Sequence, residues 1–134
     1  MQRREVEVET GRRRVTEVTA HCARFAAEQG VDGLLHVFLP HATAGLAVVE
    51  TGAGSDDDLA DHLDAWLPRD DRWRHRHGSP GHGADHVLPA LISPSLTLPV
   101  DGGVVALGTW QAIVVVDANV DNPYRRLRLS FLAG

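Results

Sequence analysis

Residues 95–132, which read SLTLPVDGGVVALGTWQAIVVVDANVDNPYRRLRLSFL, decide the fold class of this chain. Short apolar or alternating stretches are separated here by Gly, Asp, Asn and Pro, which is the pattern of successive β-strands. Asp101-Gly102-Gly103 predicts a tight turn between two of them. The segment therefore predicts four strands, at Ser95–Val100, Val104–Leu107, Trp110–Asp117 and Arg125–Leu132.

The first half of the chain predicts fewer helices than strands. Two helices are indicated, one capped by Thr16 and running to about Gln29, and one from Ser55 that ends at Pro68. A further short helix is indicated within Asp85–Leu91. Periodicity and flanking breakers predict the strands Arg4–Glu9, Gly33–Leu39 and Thr43–Val49. Because strands predominate and follow one another directly, we predict an α+β fold in one domain, residues 1–134.

Composition excludes several classes of function. The 134 residues carry 13 basic and 18 acidic side chains, which gives a net charge of −5, so we predict no nucleic-acid partner. No apolar run approaches the length of a membrane span, and the charged N-terminus lacks a signal-peptide pattern, so we expect no membrane association and a cytoplasmic location. Cys22 is the only cysteine and lies in an apolar helix pattern, which indicates a core residue.

Histidines are the groups most suited to chemistry. There are eight in the chain, and histidine is the commonest metal ligand in proteins. The polar segment 69–85 is too long to be an ordinary connection and contains the spacing His75-x-His77. His82-x3-His86 would place two imidazoles on one helical face, and His41 follows a predicted strand end. The alternative for each of these side chains is a solvated loop histidine.

Other polar residues near predicted strand ends are candidates for catalysis or binding. Glu50 could act as a general base, a metal ligand or an orienting partner of a histidine, or be a surface charge. Thr109 and Gln111 offer hydrogen bonds, and Trp110 offers either a flat binding face or a core side chain. Arginines of the last predicted strand, including Arg126, could meet an anion or simply form a solvated strand face.

Taken together, these motifs resemble the YjbQ family, also described as secondary thiamine-phosphate synthase enzymes. The likeness covers nearly the whole chain in order. It is carried by His41-Ala-Thr-Ala, Glu50, Trp73-Arg-His75, Gly78-x-Pro80, His86, Ser95-Leu-Thr-Leu-Pro99 and Leu107-Gly-Thr-Trp-Gln111.

The resemblance implies a sandwich-like mixed α/β domain with mostly antiparallel strands and two to three helices. It implies a homotrimer, a small phosphorylated substrate and a weak thiamine-phosphate synthase activity, which couples a pyrimidine pyrophosphate to a thiazole phosphate and releases pyrophosphate. Apolar runs such as Ile113–Val116, which a small domain is not expected to bury alone, also favour an oligomer.

The resemblance also assigns roles to residues. His41, His75 and His86 are expected to converge as metal ligands, and Glu50 is the catalytic candidate. The expected substrate-binding residues are His82, at the edge of the pocket, with Thr109, Trp110, Gln111 and Arg126.

This chain departs from the family at the oxygen donors. Val49 precedes Glu50 where the family has Asn, Gly52 and Ala53 replace an acidic part, and His82 stands where the family has Asn or Asp. The loss of oxygen donors favours zinc over magnesium as the divalent ion, with magnesium as the alternative.

Three functions therefore remain open. The first is a thiamine-phosphate synthase-type transferase at a metal–histidine site. The second is a non-catalytic homotrimer that binds a metal or a small ligand. The third is a metal-dependent hydrolase, in which an ion-bound water is the nucleophile.

Overall fold

The computed structural model describes residues 1–134 and contains eight strands and three α-helices. The helices are α1 (Thr19–Gln29), α2 (Ser55–Trp66) and α3 (Leu88–Leu91), and a 3-10 turn lies at His82–Ala84. The strands are β1 (Gln2–Glu9), β2 (Val15–Glu17), β3 (Gly33–Phe38), β4 (Ala44–Val49), β5 (Ser95–Asp101), β6 (Val104–Val105), β7 (Ala112–Asp117) and β8 (Tyr124–Ala133).

The strands form two antiparallel sheets. The larger has the order β1-β8-β3-β5-β6 and the smaller the order β2-β7-β4. The main core contains side chains of both sheets and of α1, among them Leu35, Leu129, Ile113 and Phe25. Helices α2 and α3 cover the other face of the smaller sheet. The predicted α+β class with mostly antiparallel strands and two to three helices is confirmed.

Strand β7 is buried on both faces. Ile113 and Val115 point into the main core, whereas Ala112, Val114 and Val116 pack in the second cluster beneath α2 and α3. Two-sided burial explains why this strand reads as a continuous apolar run rather than an alternating one. The expectation that a single domain does not bury Ile113–Val116 is therefore wrong, since all four side chains are fully buried within one chain.

The structure corrects one element of the sequence interpretation. Thr16 does not cap a helix; it lies in the short strand β2 and pairs with Val115 of β7. Helix α1 begins three residues later, at Thr19, whose hydroxyl accepts a hydrogen bond from the Ile113 N–H over 2.9 Å. Pairing with a central buried strand has overridden the local capping pattern.

The helices pack against the faces of the sheets. Helix α1 buries Cys22, Phe25 and Ala26, which confirms Cys22 as a core residue, and α2 buries Leu63. The longest helix has 12 residues. None of the three is long and apolar enough to span a membrane.

Candidate metal centre

The segment between α2 and α3, predicted to be a functional loop, is closely packed. The Trp73 Nε1–H donates to the Pro68 carbonyl over 2.8 Å. Gly81 has φ +78°, and a Cβ at Gly83 would lie 2.4 Å from the Cβ of Trp73. Contacts this close require glycine and fix the path of the segment that carries the histidines.

Three imidazoles of this segment converge. Ligand nitrogens of His75, His82 and His86 all lie within 4.8 Å of one another, and we call these residues the histidine group. The Nε2 atoms of His82 and His86 are 3.0 Å apart. The ring of His77 lies beside the group, with its centroid 4.0 Å from that of His75. The spacing His75-x-His77 and His82-x3-His86 thus brings four rings together.

The histidine group has a buried side, formed by His82, and an exposed side, formed by His75. His82 is buried, His86 is half-buried, and His75 is exposed. Desolvation lowers the pKa of His75 and of His86, and the neighbouring imidazoles lower both further. A lowered pKa keeps these rings neutral, which is the form that binds metal ions.

Carboxylates surround the other ring nitrogen of His82. Its Nδ1 lies 3.3 Å from Asp85 Oδ2 and 3.2 Å from Asp121 Oδ2. The contacts are close without being aligned hydrogen bonds, so both His82 Nδ1 and Asp85 Oδ2 are buried atoms without a hydrogen-bond partner. Two acceptors at Nδ1 favour the tautomer that carries its proton there and directs the lone pair of Nε2 into the histidine group.

The carboxylate of Asp85 is paired with an arginine. Arg69 forms an ion pair with its buried carboxylate, and a second Arg69 hydrogen bond reaches the Ala118 carbonyl over 3.0 Å. Burial raises the pKa of Asp85, against the opposing effect of Arg69. The Ser79 backbone N–H lowers the pKa of Asp121 by donating to its carboxylate.

A buried polar network anchors the loop that carries Asp121. The Arg125 Nε–H donates to Asp117 over 2.5 Å, and its Nη2 reaches the Thr43 hydroxyl over 3.2 Å. Asn119 donates to the same hydroxyl over 3.1 Å, and its own Oδ1 accepts from the Asp121 N–H over 2.7 Å. The network joins β4, β7 and β8 at one end of the smaller sheet, and Arg125 is not available to an anion.

His41 lies at the same end of the smaller sheet but is not a member of the histidine group. Its Nε2 accepts a hydrogen bond from the Arg126 backbone N–H over 2.9 Å. Desolvation lowers the pKa of His41, and the nearby Arg125 charge lowers it further. In this arrangement His41 holds the start of β8, and its predicted role as a metal ligand stays a prediction.

Glu50 and the Thr109–Gln111 loop lie at the opposite end of the smaller sheet. Val49 pairs with Ala112, so Glu50 and Gln111 lie just beyond one end of β7, whereas the Asp121 loop leaves the other end. Trp110 is 74% exposed, which rules out the core alternative for its side chain. Within one chain these residues do not share a pocket with the histidine group, and their predicted roles stay predictions.

The side chain of Arg126 also points away from the histidine group. It is exposed, and its Nη1 lies 3.9 Å from Glu5 on the outer face of the larger sheet. Its contact with phosphate stays a prediction. The outer face also bears a cavity of about 650 Å³, but only one histidine, His36, lines that cavity.

A second cavity, of about 420 Å³, lies directly beside the histidine group. Its volume falls in the range of small-molecule sites. The lining is almost entirely polar and includes His75, His82, Arg76 and Ser79. The cavity gives a small polar ligand access to the exposed side of the histidine group.

The donor set fits a zinc ion. Two nitrogens bound tetrahedrally to zinc at about 2.1 Å are about 3.4 Å apart, close to the 3.0 Å between His82 and His86. Three histidines with one open position form the ligand set of catalytic zinc sites, and His82 has the carboxylate partners that usually accompany a ligating histidine.

Several residues of the site were not singled out from the sequence. Asp85 and Asp121, which contact His82, had no role assigned from the sequence. His77 lies beside the histidine group and was marked only by the spacing His75-x-His77. An acidic residue three positions after His82 was a local signal for Asp85. Nothing local marks Asp121, since tertiary packing brings it across 39 positions to His82.

Comparison with known proteins identifies the family. The model of the family described as UPF0047 protein YjbQ-like matches residues 4–134. A UPF0047 protein of Mycobacterium tuberculosis is 59% identical over 129 residues, which is 96% of each chain.

Crystal structures agree with this assignment. A hypothetical protein of Aeropyrum pernix K1 superposes with a TM-score of 0.88 at 32% identity over all of both chains. A YbjQ-like protein of unknown function from Sulfolobus solfataricus P2 shares the fold, with a TM-score of 0.91 at 20% identity, over 99% of this chain and 97% of that one. The chain belongs to the UPF0047 family of YjbQ-like proteins.

Proposed function

We propose that the histidine group binds a divalent zinc ion and uses it for a thiamine-phosphate synthase-type transfer on a small phosphorylated molecule. The observation that carries the proposal is the convergence of His75, His82 and His86 within 4.8 Å. Three neutral imidazoles at such a distance lose little by sharing a cation and repel one another when protonated.

The choice of zinc follows from the donor atoms. Imidazole nitrogens suit zinc, whereas magnesium prefers an octahedral shell of oxygens. The two nearby carboxylates face Nδ1 of His82 rather than the point where the three ligand nitrogens meet. Magnesium is therefore the less suitable ion here.

The cavity beside the group suits a phosphorylated ligand. Arg76 lines this cavity, and its guanidinium donates to the Asp71 backbone carbonyl over 3.0 Å but pairs with no carboxylate. An arginine free of a carboxylate is available for a phosphate group. Ser79 adds a hydroxyl on the same wall.

The residues of the chain have separate roles in this proposal. Asp85 and Asp121 retain the proton on Nδ1 of His82 and so keep its Nε2 free as a ligand. A bound zinc ion would neutralise charge on a leaving phosphate or polarise the attacked centre. Glu50 remains the candidate general base, on the condition that it reaches the cavity from another subunit of a homotrimer, which is the proposed assembly.

A metal-dependent hydrolase is the second candidate. It is favoured by the open fourth position left by three histidines, because zinc lowers the pKa of a water bound there. A metal- or ligand-binding homotrimer without catalysis is the third outcome of the experiment below. The cytoplasmic location expected from the sequence stays a prediction.

The test measures bound metal and pyrophosphate release in the same preparations. We expect the purified protein to bind one zinc per chain and to release pyrophosphate from a pyrimidine pyrophosphate in the presence of a thiazole phosphate. His86→Ala should lose both metal and turnover. His36→Ala, which changes an exposed histidine far from the group, is the matched control and should keep both.

Two further variants separate roles. Glu50→Gln should retain zinc and lose about 10²–10⁴-fold in turnover, the size of a general-base contribution. Gln111→Ala should mainly raise KM. Water-dependent phosphate release without transfer would favour the hydrolase. Zinc binding with no turnover would favour the binding protein without catalysis.

A further inference from the structure

A fourth imidazole, that of His77, closes a circuit of rings with the histidine group. The ring centroid of His77 lies 4.0 Å from that of His75 and 5.4 Å from that of His82. His86 completes the circuit, at 4.8 Å from His82 and 4.1 Å from His75. The two diagonals are longer, at 5.7 Å between His75 and His82 and 6.0 Å between His77 and His86. The four rings therefore lie at the corners of a quadrilateral.

The backbone that follows His77 is held close to the histidine group. Gly78 has φ +81°, and a Cβ at this position would lie 3.1 Å from the His82 ring and 2.8 Å from Asp121 Oδ2. The Ser79 N–H donates to the same Asp121 oxygen over 3.1 Å. Only glycine suits such a turn, so the chain is fixed immediately after His77. The His77 side chain itself is exposed, so its ring can adjust to a bound ion without moving the core.

The outline of the four rings distinguishes two coordination geometries. An imidazole bound at about 2.1 Å places its ring centroid about 3.2 Å from the ion. In a tetrahedral set all centroid separations are then equal, at about 5.2 Å, whereas a square-planar set has sides of about 4.5 Å and diagonals of about 6.4 Å. The observed separations follow the square-planar pattern, because both diagonals exceed all four sides.

The one short distance between ring nitrogens agrees with this outline. The Nε2 atoms of His82 and His86, which are neighbours in the circuit, lie 3.0 Å apart. Neighbouring nitrogens at about 2.1 Å from an ion are about 3.0 Å apart in a square-planar set and about 3.4 Å apart in a tetrahedral one. The distance therefore permits zinc with three ligands but fits a planar set of four more closely.

We infer that His77 joins the histidine group as a fourth ligand and that the four imidazoles bind a copper(II) ion in a planar set. Copper(II) favours square-planar nitrogen donors and binds them more tightly than zinc does, whereas zinc favours the tetrahedral arrangement. Asp85 and Asp121 act alike on both ions, because both are divalent, so ligand geometry decides between them. The inference rests on the proposed function in that both use the histidine group, and it adds a ligand and a second metal.

Electron paramagnetic resonance of the protein loaded with one copper(II) ion per chain counts the nitrogen ligands. We expect the axial spectrum of tetragonal copper(II), with nitrogen splitting from four imidazoles. His77→Ala should show splitting from three, and its visible absorption should move to longer wavelength because water replaces a nitrogen. His36→Ala, which removes an exposed histidine on the outer face of the larger sheet, is the matched control and should keep four. Identical spectra of the parent and His77→Ala overturn the inference.

Titration calorimetry with each metal separates a ligand from a structural residue. We expect the parent to bind copper(II) at least about 10²-fold more tightly than zinc. His77→Ala should weaken copper(II) binding by at least about 10-fold and zinc binding by less than about 3-fold, since only the planar set uses the fourth ring. Equal losses for the two metals overturn the role of His77.

A copper(II) ion bound by surface histidines alone is the outcome that a further variant detects. His86→Ala removes one corner of the quadrilateral and should reduce both the copper(II) affinity and the number of nitrogens. Copper(II) bound by His86→Ala with the affinity of the parent shows an adventitious ion only, and overturns the inference.

These measurements need no turnover, so they distinguish failure of this inference from failure of the proposed function. Zinc-dependent transfer in a protein whose copper(II) spectrum shows three nitrogens overturns this inference alone. A spectrum of four nitrogens that depends on His77, in a protein without zinc-dependent transfer, supports this inference and overturns the proposed function.

Discussion

The Nε2 atoms of His82 and His86 lie 3.0 Å apart. In a protein without metal, such a contact requires that one nitrogen carry a proton and the other accept it. The Nδ1 of His82 already faces Asp85 and Asp121, which leaves its Nε2 as the acceptor or as a metal ligand. A bound zinc ion would therefore compete with the proton on Nε2 of His86, and its binding would require that proton to move to Nδ1 of the same ring.

Removal of His82 should strongly weaken zinc binding. His82 is the only buried member of the histidine group. We expect His82→Ala to weaken zinc binding by more than about 100-fold, which exceeds the usual effect of losing an outer partner. Isothermal titration calorimetry measures the affinity of each protein for zinc. Unchanged affinity would show that His82 is not a ligand, and His36→Ala provides the comparison.

Removal of the Asp85 carboxylate should weaken zinc binding without removing a ligand. Asp85→Asn takes away a negative charge that faces Nδ1 of His82, and we expect a loss of about 10–100-fold in affinity. Arg69→Met breaks the same ion pair but leaves the carboxylate in place. If Arg69→Met lowers zinc affinity as much as Asp85→Asn does, the effect is one of folding and not of ligand orientation.

The ion pair of Arg125 with Asp117 should matter to stability. Both side chains are almost fully buried, at 2% exposed each. Arg125→Met leaves a buried carboxylate without its partner and should lower the free energy of unfolding by about 3–5 kcal/mol in urea denaturation. Arg128→Met removes an exposed ion pair with Glu5 and should cost at most about 1 kcal/mol. Equal losses of unfolding free energy in Arg125→Met and Arg128→Met would show that burial of the ion pair does not matter to stability.

Stability of the metal-free protein should fall as the pH is lowered through the titration range of His41. Its pKa is lowered in the folded chain, chiefly by desolvation, so the unfolded chain binds the proton at higher pH. The stabilisation is complete above the ordinary pKa of about 6.5 and is lost as the pH falls towards the lowered value. Protonation also removes the acceptor of the Arg126 N–H.

The measurement for His41 is urea denaturation between neutral and mildly acidic pH with a chelator present. His75 and His86 have lowered pKa values and act in the same direction. His41→Gln retains an acceptor but does not titrate, so its stability should depend less on pH than that of the parent. The same pH dependence in both proteins would remove His41 from the explanation.

The thiol of Cys22 should be unreactive in the folded protein. Burial raises its pKa to about 12, so very little thiolate exists at pH 8. We expect alkylation to be at least about 10³-fold slower than in urea-unfolded chain, because the thiolate is the reactive species. Cys22 is the only cysteine, so mass spectrometry reads its modification without ambiguity. Rapid labelling under native conditions would show that α1 opens readily.

The sequence determined the class of fold and marked the histidines that converge in the structure. Alternation and turn residues are local, so residues 95–132 already indicated antiparallel strands, and the spacing of His75, His82 and His86 indicated a metal site. The strand β2 was missed because its three residues form a strand only through pairing with β7. A local pattern cannot report a partner 100 positions away.

Tertiary structure alone decided which side chains meet. Asp121 reaches His82, and Arg125 reaches Thr43, only because β4, β7 and β8 end together at one end of the sandwich. The same strands carry Glu50 and Trp110 to the other end, although the sequence motifs suggested one site. A strand is an extended rod, so it fixes the distance between the residues at its ends, whereas the sequence fixes only their order.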